Sequence, residues 1–185
     1  MRRRLGILAV AMFVMPAGIL GLAGPASAAK GPTRASGCVK TGNNPYSTYG
    51  TADNTTNRVS VTNKRAVISA EGIGRTYDCG PAGRPQAVPD LTVEITYTVD
   101  GSAVNCSIGG DLQGNASFSC ARDRSRITAT DTYTCKNTST CKLGYSSATF
   151  TAASNGRITN VQTVVKVTLS GSGGSQSAAS DVDIV

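Results

Sequence analysis

From Leu91 to Val99 apolar and polar residues alternate without a break. Leu91, Val93, Ile95, Tyr97 and Val99 share one parity, and Thr92, Glu94, Thr96 and Thr98 the other. A period of two places one apolar and one polar face on a strand. Asp100-Gly101 follows, a pair suited to the positive φ angles of a type I′ turn. Such a turn sets Val99 opposite Ser102, Tyr97 opposite Val104, Ile95 opposite Cys106 and Val93 opposite Ile108. The buried faces of both strands then agree, and a slip of one residue would destroy the agreement.

Shorter runs repeat the pattern. Arg58–Thr62 and Arg65–Ala70 form a second expected hairpin, whose turn at Asn63-Lys64 pairs Val61 with Ala66 and Val59 with Ile68. Tyr145–Ala153 and Arg157–Leu169 flank Asn155-Gly156, another hairpin signal, which pairs Phe150 with Val161 and Ala148 with Thr163. Ile158 and Val164 break that parity and point to a bulge. Ser117–Ala121 is expected to fold back on the central hairpin, with Phe118 opposite Ile108 and Cys120 opposite Cys106 on the buried face. Arg122, Arg124 and Arg126 continue this parity. Unpaired buried charge is too costly, so the strand must break or bulge near Ala121. Ile127, Ala129, Tyr133 and Cys135 suggest one more strand, interrupted by Asp131. Residues 41–57, dense in Asn, Thr, Ser and Gly, read as loop, and residues 71–89, with Pro81, Pro85 and Pro89, as a long connection.

No run carries a helical period. Many short strands with Thr-rich outer faces imply an all-β fold, a single antiparallel β-sandwich, Ig-like or related, with a small barrel as the next choice.

The ends change the picture. Arg2, Arg3 and Arg4 precede an apolar stretch from Leu5 to Leu22 and a small-residue site at Ala26-Ser27-Ala28. Residues 1–28 therefore read as a secretory signal peptide, and the protein as secreted and extracellular. No transmembrane segment is expected after its removal. Residues 29–57 are then a polar leader and loop, 58–170 the β domain, and 171–185 a flexible Gly/Ser-rich tail. All 6 cysteines, Cys38, Cys79, Cys106, Cys120, Cys135 and Cys141, follow the signal peptide. In an exported chain they imply about three disulfides. The strand register suggests Cys106–Cys120, the short spacing Cys135–Cys141, and elimination leaves Cys38–Cys79.

Composition narrows the chemistry. Of 18 basic residues, Arg2–Arg4 leave with the leader, and the remaining 15 stand against 11 acidic ones. That balance suits solubility or an anionic cell-surface polymer, not the dense basic footprint of a nucleic-acid binder. The chain has no histidine, which removes Ser-His-Asp catalysis and His-ligated metals. Disulfide formation consumes the thiols. No carboxylate pair stands out, and no tryptophan offers a sugar platform. The expectation is a non-enzyme, with no metal or cofactor.

The candidate binding residues are Arg122, Arg124, Arg126, Tyr46 and Tyr49. The arginines, spaced by two, would project together from an extended segment toward phosphate or carboxylate groups. The same charges would also guard a strand edge against aggregation. The two tyrosines sit in the expected loop, as a contact patch or as a cover for the core's end. These features favour an exported, non-catalytic module that binds an anionic surface polymer or an extracellular protein. The alternative is an inhibitor of an extracellular hydrolase acting through a rigid Cys135–Cys141 loop.

Overall fold

The computed structural model describes residues 30–34, 39–40, 47–80, 82–171 and 174–183, with side chains for 48–80 and 82–170. The expected signal peptide, Cys38 and Tyr46 lie outside these residues. The strands are β1 (Lys30–Arg34), β2 (Val39–Lys40), β3 (Ser47–Val61), β4 (Arg65–Asp78) and β5 (Val88–Val104). They continue as β6 (Gly109–Asp111), β7 (Asn115–Cys120), β8 (Arg126–Thr138), β9 (Thr140–Gly171) and β10 (Gly174–Asp183). All pairings are antiparallel, and no helix occurs among the described residues.

The strand order is β1-β3-β4-β9-β5-β8-β7, with β2 on β3 and with β6 and β10 on β9. Strand β9 is 32 residues long and serves two ladders. Its first half pairs with β4 and, over Thr149 to Ser147, with β6. Its second half pairs with β5 and β10. The Gly/Ser-rich C-terminal stretch, expected to be flexible, is thus laid along β9, since backbone pairing needs no large side chain.

The alternation in β5 buries what it should: Leu91, Val93, Ile95, Tyr97 and Val99 are all fully inaccessible. The β3–β4 hairpin has the expected register, Val61 opposite Ala66 and Val59 opposite Ile68. Both strands, however, run far beyond their expected ends, through sequence whose composition reads as loop. Their inward positions carry small residues because the opposing ladder supplies the bulk. A Cβ on Gly72 would lie 2.9 Å from Val93, one on Gly74 3.0 Å from Val167, and one on Gly50 2.7 Å from Leu169. Close packing thus matches small residues on β3 and β4 with branched ones on β5 and β9.

Two expected turns are absent. Strand β5 does not reverse at Asp100-Gly101. Asp100 stands opposite Arg126 and Asn160, Gly101 opposite Ile158, and Ser102 opposite Arg157. Nor does β9 reverse at Asn155-Gly156: Phe150 pairs with Ala66, and Val161 with Val99. The glycines serve close approach instead. A Cβ on Gly101 would sit 2.0 Å from the Arg157 carbonyl oxygen, and one on Gly156 2.3 Å from that of Ser102. The register shifts between Asp100 and Gly101 and again between Ser102 and Val104. Ile158 borders the first shift, where its broken parity had pointed to a bulge. The Lys64 ammonium donates to the carbonyls of Ala153, Ser154 and Gly156, and the Ile158 amide donates to Asn63 O at 2.9 Å. The β3–β4 turn thereby holds the bend in β9.

Candidate functional site

Because β5 runs straight through, residues 105–118 cannot return along it. They cross to the side of the molecule, where β6 borders one ladder and β7 the other. Between them lies a groove of about 260 Å³, lined by Ile108, Gly109, Gly110, Leu112, Ala116 and Phe118. Phe118 has the parity of Ala129, its partner on β8, as the alternation requires. Yet it is 59% exposed, whereas Ala129 is fully buried. Among the described residues no further strand lies beyond β7 to cover that face. The expectation of a buried Phe118 therefore fails on its place in the strand order, not on its parity. Ile108, expected opposite Val93, instead shares the groove with Phe118.

Two devices hold the groove in shape. The Cys106–Cys120 disulfide, with Cα atoms 5.5 Å apart, ties the segment before Ile108 to the end of β7. Asp131 does the rest. It is fully buried, and its carboxylate accepts the amides of Gln113 at 2.9 Å and Gly114 at 2.8 Å, and the Ser146 hydroxyl at 2.7 Å. A buried carboxylate is tolerated where its lone pairs are satisfied in this way. By its polarity Asp131 is expected to interrupt β8. It is instead the anchor for the loop between β6 and β7, and the strand continues through it. The Tyr97 hydroxyl donates to Ser146 O at 3.0 Å, and burial raises its pKa far above that of an ordinary phenol.

The arginines do not form a row. Residues 122–125 turn, closed by the Arg124 amide on Ala121 O and the Ala121 amide on Arg126 O. Arg124 has φ of 57° and donates to Val104 O and Asn105 Oδ1. Arg126 donates to both carboxylate oxygens of Asp100, at 2.5 and 3.2 Å. Its guanidinium holds the Asp100 carboxyl below the usual range, helped by Asn160. Of the three, only Arg122 has neither a side-chain hydrogen bond nor an ion pair among the described residues, and it is exposed. Tyr49 is half-buried and stacks on Tyr77, with ring centroids 5.4 Å apart.

The Cys135–Cys141 bridge is present, with Cα atoms 5.7 Å apart. Its loop is built into the ladders: Thr138 pairs with Val88, Arg75 with Thr140, and the Thr76 amide donates to Ser139 O. Nearby, Tyr145 is 69% exposed at a break in the β4–β9 register, with the Lys142 ammonium 5.8 Å from its ring centre. Among the described residues no cluster of three or more His, Cys, Asp or Glu converges as a metal site, and no cysteine is free. Among the described residues no helix is long and apolar enough to cross a membrane.

No protein-family model matches this chain, and no curated protein is similar to it in sequence.

Proposed function

We propose that this protein is an exported, non-catalytic β-sandwich that binds another macromolecule at the cell envelope or in the extracellular medium through the groove between β6 and β7. The carrying observation is Phe118: a large apolar side chain of core parity, left open above Ile108 and Leu112. Covering that ring and the groove beneath it with a partner would remove apolar surface from water, which favours association. The sandwich reading is supported by the meeting of Gly72 and Gly74 with Val93 and Val167 across the two ladders. Export is supported by the leader pattern and by two disulfides, which persist in oxidising compartments.

The test compares wild type with Phe118→Ser for retention on envelope fractions and on immobilised extracellular proteins of the host. Phe118 is at an exposed edge, so the melting temperature should stay within about 2 °C. Retention should fall by about tenfold or more, the loss of one buried anchor. Equal retention of the two proteins would remove the groove from the binding account. Loss with Arg122→Ser but not with Phe118→Ser would move the site to the turn and favour an anionic polymer.

A further inference from the structure

Strand β7 is the outermost strand of its ladder, and β8 is its one neighbour among the described residues. The Ala121 amide bonds to Arg126 O, in register with the β7–β8 pairs. Alternation along an antiparallel ladder then turns Ser119, Ser117 and Asn115 toward β8. It points the backbone N–H and C=O of Ala116, Phe118 and Cys120 outward. Among the described residues no hydrogen bond reaches these outward groups.

Such an edge is normally guarded by charge, proline or a bulge. The β7 sequence Asn-Ala-Ser-Phe-Ser-Cys has none of them. The arginines that could have guarded it lie beyond its end, and two of the three are engaged by Val104, Asn105 and Asp100. Among the described residues what remains is a row of unpaired amides and carbonyls, an apolar groove under Phe118, and an exposed Arg122 just past the strand.

We infer that β7 is a template for strand addition, and that its occupant is an extended, acidic peptide segment of a partner protein. This rests on the groove being the binding site and specifies how it binds. Main-chain bonds to Ala116, Phe118 and Cys120 hold the segment, and an apolar side chain opposite Phe118 fills the groove. In an antiparallel pairing the N-terminal end of the added segment lies near Arg122. An Asp or Glu a few positions before the apolar residue then comes within reach of the guanidinium. A second copy of this chain fits less well. Its β7 carries no carboxylate for Arg122. A six-residue edge also buries well below the ~1,200 Å² of a stable interface.

The probe is a blocked, fluorescein-labelled octapeptide of alternating threonine and valine with one aspartate near its N-terminus. A matched peptide carries lysine in place of the aspartate. Wild type should prefer the aspartate peptide. Arg122→Glu should reverse that preference, each change by about two- to fivefold, as for an exposed charge pair. Ala116→Pro removes one outward amide without touching the β8 ladder, and should weaken the aspartate peptide by about tenfold. Bound peptide should slow hydrogen exchange at the Phe118 and Cys120 amides and leave Ser117 and Ser119 unchanged.

No binding of either peptide, or binding without that alternating protection, overturns strand addition. So does a dimer that forms without peptide and is abolished by Ala116→Pro, which would make the second copy the occupant. If envelope retention survives Ala116→Pro but not Phe118→Ser, the groove still binds and only the strand-addition mode fails.

Discussion

Gly101 shows how one residue decides between two architectures. Asp-Gly is the best short signal for a tight hairpin, because glycine accepts positive φ. Gly101 is not among the positive-φ glycines; its lack of a Cβ lets the Arg157 carbonyl approach instead. Gly101→Ala should therefore cost about 3 kcal/mol or more, at the upper end for overpacking, since the clash is with backbone. Gly109→Ala is the control: its nearest neighbour would be Thr149 Cβ at 3.7 Å, and stability should barely change. Urea unfolding of the two variants checks both. Asp100, beside Gly101, carries a pH signature. Its pKa is lowered chiefly by the hydrogen bond from Arg126. The unfolded chain thus binds the proton more readily, and stability rises with pH through the carboxylate range. The contribution is present above the unfolded pKa and lost as pH falls through the folded one. Asp100→Asn should flatten the acid limb of melting temperature against pH, leaving a smaller difference from wild type at pH 3 than at pH 6.

At the scale of elements, the two disulfides do different jobs. By loop-closure entropy alone, Cys106–Cys120, 14 residues apart, stabilises by about 3 kcal/mol, and Cys135–Cys141, 6 apart, by about 2 kcal/mol. Only the first holds the groove. Paired Cys106→Ser and Cys120→Ser should loosen residues 105–112 and reduce envelope retention; paired Cys135→Ser and Cys141→Ser should lower stability and leave retention alone. Asp131 acts on the same element from the other side. Asp131→Ala leaves the Gln113 and Gly114 amides and the Ser146 hydroxyl without their acceptor, at about 3 kcal/mol or more for several broken buried bonds. Faster exchange of those two amides would locate the loss in the β6–β7 loop.

The same elements show what the sequence made legible. Parity survived wherever it was local: the buried face of β5 and the β3–β4 register follow from alternation, and the Cys135–Cys141 bridge from its short spacing, whereas Cys106–Cys120 is present although the strand register that suggested it is not. Strand length did not. The inner faces of β3 and β4 carry Gly50, Ala52, Gly72 and Gly74, which look like loop until Leu169, Val93 and Val167 are seen filling the space. Strand order did not either, because Asp-Gly and Asn-Gly fit a bend between crossing strands as well as a turn. The groove was illegible for that reason. Phe118 has core parity, and only its place on the outermost strand exposes it.

For the whole molecule the decisive feature is that β5 and β9 run on through residues 100–101 and 155–156, joining the two ladders. Asn54 donating to the Thr163 carbonyl, 109 residues away, is one sign of how non-local the contacts are. The lateral groove exists only in this arrangement. Were the chain to reverse at Gly101, Ile108 would lie beside Val93 in the core and Phe118 would have no groove to cover. Nuclear Overhauser spectroscopy distinguishes the two directly. Running strands predict cross-strand contacts of Gly101 with Ile158, Val99 with Val161 and Phe150 with Ala66, together with contacts from the Phe118 ring to the methyls of Ile108 and Leu112. Contacts of Val99 with Ser102 and of Phe150 with Val161 as cross-strand neighbours would contradict it.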